Sequence, residues 1–194
     1  IKPSDILTNE AFENAITVVA AMGGSTNSAL HIPAIAHEMG VKLTLEDIHR
    51  ISMKTPLLAD MKPAGKFLMY DLDKVGGVPL VMKRLLEIGL IHGDCMTVTG
   101  KTVSQNLSKI PDNLEENTVV SKTDNPLSET GGLVILHGNL APDGAVLKVA
   151  GHNYGKKWEG PARVFNQEEE CMEALKKHSI KPGDFVVIRY EGPK

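Results

Sequence analysis

The sequence contains little cysteine. Of its 194 residues only Cys95 and Cys171 are cysteines, and neither stands in a C-x-x-C pattern or beside a matched pair of histidines. This usage indicates neither a disulfide framework nor a zinc site. We therefore expect the protein to work in a reducing, intracellular setting.

Long apolar runs and a strong net charge are also missing. The apolar stretches are far shorter than the roughly 20 residues that a membrane-spanning helix needs. The first residues, Ile1 to Asp5, lack the apolar segment behind a basic one that marks a signal peptide. A net charge of −3 is too small to indicate nucleic acid or a membrane surface as partner. We expect the protein to bind neither.

The first half of the sequence carries helix signals. Apolar residues recur at helical spacing, glycines follow the periodic stretches, and Thr44 stands three residues before an acid, Asp47, as in a capping box. Ser25, Thr26 and Asn27 are alternative caps for a second helix. The first predicted helix spans Thr8 to Met22, and the second begins at one of these three residues and ends at Gly40. A third helix is predicted from Thr44 to the residue before Pro56, and a fourth from Leu80 to Ile88.

The second half carries strand signals after a polar stretch. Apolar runs bounded by Gly, Pro, Asn and Asp predict strands at Leu133–Leu136, Ala145–Val149, Ala162–Phe165 and Phe185–Ile188. Asn139, Pro142, Asp143 and Gly144 are predicted to connect the first two. Asn166 is predicted to cap a helix that runs to about Lys177. The fold class is therefore mixed α/β, with a helical segment over residues 1–110, a linker over 111–130 and a β-rich segment over 131–194.

One loop in the helical segment has the composition of an anion site. In Gly23-Gly24-Ser25-Thr26-Asn27, glycines allow a ligand to approach the backbone, and hydroxyls stand at a helix N-terminus. The loop is neither a Walker A motif nor a dinucleotide fingerprint. An ordinary helix–helix turn with a good cap explains the same residues, and spacing alone leaves both interpretations open.

Glu191 is the other candidate. It ends a predicted buried strand, beside Arg189 and Tyr190 and before a Gly-Pro turn, where active sites often draw ligands. A solvated strand end is the alternative. The seven histidines are scattered and indicate no metal site. Cys95 fits a buried structural thiol better than a nucleophile.

The residues also resemble a known family. The blocks AMGGSTNSALH, LADMKPAGKFLMYDL, VGGVPLVMKRLLEIGLIHGDCMTVTGKT, GGLVILHGNLAPDGAVLKVAG and VVIRYEGPK, in this order, are similar to the dihydroxy-acid dehydratase family. That family includes phosphogluconate and sugar-acid dehydratases. The second block resembles most the branch that acts on branched-chain acids, whose members typically have serine where this chain has Ala64.

The resemblance implies an enzyme that removes water from 2,3-dihydroxy acids, with Mg²⁺ and an iron–sulfur cluster as cofactors. Glu191, in YEGPK, corresponds to the family's magnesium ligand, and Gly24, Ser25 and Thr26 are candidate substrate-binding residues. Neither Cys95 nor Cys171 matches a cluster cysteine. The cluster motifs are expected upstream of Ile1, and the proposed base, a serine, downstream of Lys194. No catalytic residue is expected within the chain, which by itself is predicted to be inactive.

The resemblance also implies the architecture and the setting. The helical segment would close an α/β domain, and the β-rich segment would belong to a β-barrel-like swivelling domain related to aconitase. The full-length enzyme is expected to be a homodimer, cytoplasmic or, in a eukaryote, organellar. Its expected substrate is 2,3-dihydroxy-3-methylbutanoate, an intermediate of valine synthesis, and the pathway also serves isoleucine. The alternatives are a sugar-acid or 6-phosphogluconate dehydratase and a non-catalytic scaffold domain.

Overall fold

The computed structural model describes residues 1–63, 65–111, 118–149 and 157–192. The chain forms two compact units, Ile1–Asn153 and Tyr154–Lys194. Helices and short strands occur together, which confirms the mixed α/β class. Within the described ranges, no helix has both the length and the apolar character needed to cross a bilayer. Ala64, which stands where the branched-chain branch typically has serine, lies outside the described ranges.

In its described residues, the first unit contains seven helices and a hairpin. Their bounds are α1 Pro3–Ile6, α2 Asn9–Ala21, α3 Ser28–Glu38, α4 Leu45–Lys54, α5 Met69–Lys74, α6 Gly77–Glu87, α7 Val103–Leu107, β1 Leu133–Gly138 and β2 Ala141–Lys148.

The helix ends follow from local sequence signals. The Thr8 hydroxyl accepts the Ala11 N–H at the start of α2, and Thr44 and Asp47 form the predicted capping box at the start of α4. Left-handed glycines follow α2, α3 and α6 closely, as helix stops require. The four predicted helices are therefore confirmed within a few residues at their ends.

The hairpin is tighter than predicted. β1 and β2 pair in antiparallel fashion from Leu133↔Lys148 to Gly138↔Ala141, so only Asn139 and Leu140 connect them. The longer predicted connection was wrong, because Pro142, Asp143 and Gly144 lie inside β2. The register shifts between Leu136↔Ala145 and Gly138↔Ala141, so Pro142, Asp143 and Gly144 lie in an irregularity where a proline interrupts no pairing.

The described residues of the predicted linker lie against the helical layer. The Ser121 N–H donates to the Leu58 carbonyl at 2.7 Å, and the Leu57 N–H to the Ser128 carbonyl at 2.9 Å. Val119 and Val120 are buried. Backbone pairing and apolar burial thus fix residues 118–130 to the first unit. The boundaries 1–110, 111–130 and 131–194 remain predictions, and residues 112–117 lie outside the described ranges.

The second unit is a β–α–β arrangement. β3 Ala162–Phe165 and β4 Phe185–Ile188 run parallel in the register Ala162↔Phe185 to Phe165↔Ile188, with α8 Glu168–Lys176 between them in sequence. The strand runs predicted at Ala162–Phe165 and Phe185–Ile188 are confirmed. The predicted continuation of the second run through Arg189 to Glu191 was wrong, because β4 ends at Ile188 and Tyr190 has a left-handed backbone. The predicted cap was wrong, because Gln167 rather than Asn166 occupies the N-cap position. The Asn166 side chain accepts a hydrogen bond from Arg189 instead.

Candidate functional site

Glu191 lies at the edge of the second unit where both parallel strands end. Since β3 and β4 run in the same direction, their carboxyl ends share one edge, and Glu191 follows the end of β4 by three residues. α8 begins at the same edge, at Glu168, soon after β3 ends. Ligands in α/β proteins bind outside the carboxyl ends of parallel strands. The strand order therefore puts Glu191 where such a ligand would lie.

The Glu191 carboxylate contacts the start of α8. Its Oε1 atom accepts a hydrogen bond from the backbone N–H of Glu168 at 3.0 Å. The first N–H groups of a helix have no partner inside the helix and attract negative charge. Glu191 remains exposed, so its carboxylate is both anchored and open to a ligand from solvent.

The backbone before Glu191 makes an unusual turn. The Arg189 N–H still pairs with the Phe165 carbonyl at 3.0 Å, but Tyr190 has a φ of 69°. A residue other than glycine rarely adopts this left-handed backbone conformation, which costs roughly 1–2 kcal/mol. The Arg189 guanidinium lies 5.1 Å from the centre of the Tyr190 ring. The chain thus leaves the sheet after Arg189, and the turn at Tyr190 brings Glu191 towards α8.

The residues at this edge fit a magnesium ion in part. Carboxylate oxygen is the donor that Mg²⁺ prefers, and Mg²⁺ commonly takes only one or two protein carboxylates and fills its other positions with water or substrate. Glu191 supplies one such donor. No group of three or more His, Cys, Asp or Glu side chains forms a metal centre in the described ranges.

Gly24, Ser25 and Thr26 lie between α2 and α3 in the first unit. The Gly24 N–H donates to the Val19 carbonyl at 2.9 Å, and the Ser25 hydroxyl accepts the Asn27 N–H at 3.2 Å. A Cβ atom at Gly24 would collide with Val19, so close packing on α2 explains this glycine. Ser25 and Thr26 are exposed. The N–H groups of Gly24 and Asn27 are thus hydrogen-bonded within the turn, while Ser25 and Thr26 lie at the surface.

The chain contains two cysteines, and thiolates are the usual ligands of an iron–sulfur cluster. Cys95 belongs to the first unit and Cys171 to the second, where it is 5% exposed. Burial raises the pKa of the Cys95 thiol, and the carboxylates of Asp94 and Glu10 raise it further. An elevated pKa disfavours the thiolate that metal binding and nucleophilic attack require. Cys95 is half-buried rather than fully buried, and its structural role remains a prediction.

A polar network in the first unit was missed by sequence reasoning. Glu13 on α2 accepts from His92 Nε2 at 2.8 Å and from Arg50 on α4 at 3.0 Å. Next to it, the buried Asn14 side chain bonds both the N–H and the carbonyl of His92. Two adjacent residues thus hold His92 by its side chain and by its backbone. An Asn inside an apolar helical pattern was the available signal, but its partner lies 78 positions away.

The contact between Glu191 and Glu168 was missed as well. Glu191 was singled out for its position at a strand end, whereas its hydrogen-bond partner is a backbone group 23 positions earlier. The helix start was predicted from Asn166, and the three consecutive acids Glu168 to Glu170 stand in the first turn of α8. Only the parallel pairing of β3 with β4 shows that this start meets Glu191.

A carboxylate at the carboxyl edge of parallel strands is typical of ligand-binding α/β proteins, and comparison with known proteins gives the family. Residues 1–106 match the family described as dihydroxy-acid/6-phosphogluconate dehydratase, N-terminal, and residues 118–194 match its C-terminal counterpart. The chain therefore belongs to the dihydroxy-acid/6-phosphogluconate dehydratase family, which confirms the resemblance.

Individual relatives carry a more specific name. The chain is 57% identical to a dihydroxy-acid dehydratase of Sulfolobus acidocaldarius and 58% identical to one of Sulfurisphaera tokodaii. It is 52% identical to one of Francisella tularensis subsp. novicida. Each comparison covers 100% of this chain, but only 34–35% of the relative. The chain thus spans about a third of the length of the curated relatives it matches.

Proposed function

We propose that the chain belongs to a hydro-lyase that converts 2,3-dihydroxy acids into 2-oxo acids. The observation that carries the proposal is the 52–58% identity, over the whole chain, to proteins named dihydroxy-acid dehydratase. The proposed substrate is 2,3-dihydroxy-3-methylbutanoate and the products are 3-methyl-2-oxobutanoate and water. The reaction breaks the C3–O bond and the C2–H bond, and the resulting enol becomes the oxo acid.

The proposed cofactors are Mg²⁺ and an iron–sulfur cluster. Bound metal supplies Lewis-acid chemistry at the substrate oxygens, which stabilises the charge that develops there. In this chain Glu191 would hold the magnesium ion, while Cys95 and Cys171 would hold none of the cluster. The exposed position of Glu191 at the strand edge supports its role.

Gly24, Ser25 and Thr26 are proposed to contribute to substrate binding. Exposed hydroxyls just before α3 support this role, since they are suited to the carboxylate and hydroxyl oxygens of a dihydroxy acid. Residues 131–194 are proposed to belong to a larger β-barrel-like swivelling domain. The proposed assembly is a cytoplasmic homodimer, and the base and the cluster ligands would come from the remaining length of the enzyme.

The test uses a protein of the relatives' length that contains this chain, purified without oxygen. We expect it to release 2-oxo acid from 2,3-dihydroxy-3-methylbutanoate faster than from gluconate or 6-phosphogluconate. Glu191→Gln should lower kcat/KM by at least about a hundredfold, since loss of a direct metal ligand removes transition-state charge stabilisation. Glu173→Gln, an exposed change further along α8, serves as the matched control and should leave the rate unchanged.

Each other outcome excludes one element of the proposal. Faster turnover of a sugar acid would assign the protein to the sugar-acid branch. No turnover of any of these substrates, with metal and cluster bound, would favour a scaffold domain. Full activity in Glu191→Gln would reject the magnesium role.

A further inference from the structure

The inference concerns the N–H group that faces Glu191. Glu168 is the first residue of α8, and its backbone N–H donates to Glu191 Oε1 at 3.0 Å. Within an α-helix the first N–H groups have no carbonyl to bond. This N–H is therefore available to the carboxylate without any loss to the helix.

The two partners of this hydrogen bond are fixed to the same small sheet. α8 follows β3 closely and buries Cys171 on its inner side. Glu191 follows β4, whose pairing with β3 continues through the bond from the Arg189 N–H to the Phe165 carbonyl. A second bond, from the Arg189 side chain to Asn166, joins the same two connections. The β–α–β arrangement thus fixes the distance between donor and acceptor.

Without the hydrogen bond, an exposed glutamate would sample many rotamers. Fixing such a side chain in one rotamer costs conformational entropy. If the fold already holds one carboxylate oxygen in place, less conformational entropy is lost when a metal ion binds the other oxygen. Partners of metal ligands commonly act in this way, and losing one lowers metal affinity by about tenfold to a hundredfold.

We infer that the N-terminus of α8 is the positioning element for the magnesium ligand: the Glu168 N–H holds Glu191 Oε1 and leaves the second carboxylate oxygen for the ion. This inference rests on the proposed magnesium role of Glu191. It assigns to Glu168 a function of its backbone and none of its side chain.

The backbone group can be removed selectively. Proline at the first position of a helix deletes only an N–H that has no helical partner, and its ring suits the helical φ. The preceding Gln167 has φ −150° and ψ 153°, the extended conformation that a residue before proline prefers. Glu168→Pro is therefore compatible with the backbone, and Glu168→Ala is its matched control. Both variants lose the carboxylate of Glu168, and only proline loses the N–H.

Titration calorimetry measures the dissociation constant of Mg²⁺ in the protein that contains this chain and has the length of the relatives. We expect Glu168→Ala to bind within about threefold of the unsubstituted protein and Glu168→Pro to bind about tenfold more weakly than Glu168→Ala. The melting temperature is recorded for both, because a purely structural role would change stability without changing affinity.

The outcomes separate the inference from the function beneath it. If Glu191→Gln abolishes Mg²⁺ binding while Glu168→Pro and Glu168→Ala bind equally, the positioning inference is wrong and the magnesium role stands. If Glu191→Gln binds Mg²⁺ normally, both are wrong.

A second readout needs no proline. Mg²⁺ on one oxygen of Glu191 should restrain the other, so that the Glu168 amide opens less often and exchanges its hydrogen more slowly. Hydrogen exchange followed by mass spectrometry, with and without Mg²⁺, measures this in the unsubstituted protein. Slower exchange at Glu168 that disappears in Glu191→Gln supports the inference, and an unchanged rate overturns it.

Discussion

The two units of the chain differ in how completely they bury their own apolar residues. The first contains a continuous core in which Leu58, Leu72 and Leu85 are fully buried. In the second, Cys171 is the one buried apolar side chain among the described residues. Phe185 and Val186 of β4 are 43% and 44% exposed, although they belong to the most strand-like run of the sequence.

This difference shows that a strong local pattern and a complete core are separate properties. Strand propensity acts over a few residues, whereas burial needs a second layer to cover each face. Among the described residues of the second unit, one helix and two strands leave most apolar side chains exposed. The position of Glu191 therefore depends more on the hydrogen bonds at the strand edge than on a buried core.

The largest effect is expected from removing a core leucine. Leu85 on α6 is 0% exposed and Leu175 on α8 is 48% exposed. Leu85→Ala should lower the free energy of unfolding by about 2–5 kcal/mol, through lost burial and a residual cavity. Leu175→Ala, the same change on an exposed helix face, should cost less than about 1 kcal/mol. Urea denaturation followed by circular dichroism measures both, and equal costs would contradict the comparison.

A smaller effect is expected where the hairpin meets the helices. Gly131 precedes β1, and a Cβ atom there would lie 2.7 Å from Ala20 Cβ and 2.7 Å from Ser52 Oγ. The Gly131 N–H also donates to the Ser52 carbonyl at 2.8 Å. Gly131→Ala should therefore cost about 1–3 kcal/mol by overpacking.

Gly138 at the end of β1 is the matched control, since a Cβ atom there meets nothing within 4 Å. Gly138→Ala should change stability by less than about 0.5 kcal/mol. Thermal unfolding of the two variants measures the difference. A Gly131→Ala protein as stable as Gly138→Ala would mean that the hairpin is not seated closely on α2 and α4.

The smallest effect concerns pH and the Glu13 network. The hydrogen bond from His92, and next that from Arg50, lower the pKa of Glu13 below its ordinary 4.5. The folded state therefore holds this proton less readily than the unfolded state. The resulting stability is fully present above pH 4.5 and is lost as the pH falls through the lower folded pKa.

Glu13→Gln should remove this contribution, which is roughly 0.5 kcal/mol because His92 and Arg50 are more than a third exposed and solvent screens the pair. Glu38→Gln, an exposed change on α3, is the control. Chemical denaturation at about pH 6 and about pH 3 compares the variants. A deficit in Glu13→Gln that stays as large at about pH 3 as at about pH 6 would contradict the assignment.

The sequence by itself determined the local elements and the family. Thr8, Thr44 and Asp47 predicted helix starts because a cap bonds N–H groups two or three residues away, within reach of local sequence. The end of a strand at Phe165 was predicted because a polar residue, Asn166, follows it directly. Motif blocks in order along the chain identified the family, and they drew attention to Glu191.

Only the tertiary structure decided which of these residues meet. The pairing of Glu13 with His92, the seating of Gly131 against Ser52 and the bond from Glu168 to Glu191 join positions far apart in sequence. No local propensity encodes such contacts, since they depend on the direction in which strands pair and helices return. The parallel pairing of β3 and β4 brings a helix start and a carboxylate to one edge, which turns two separate signals into a candidate site.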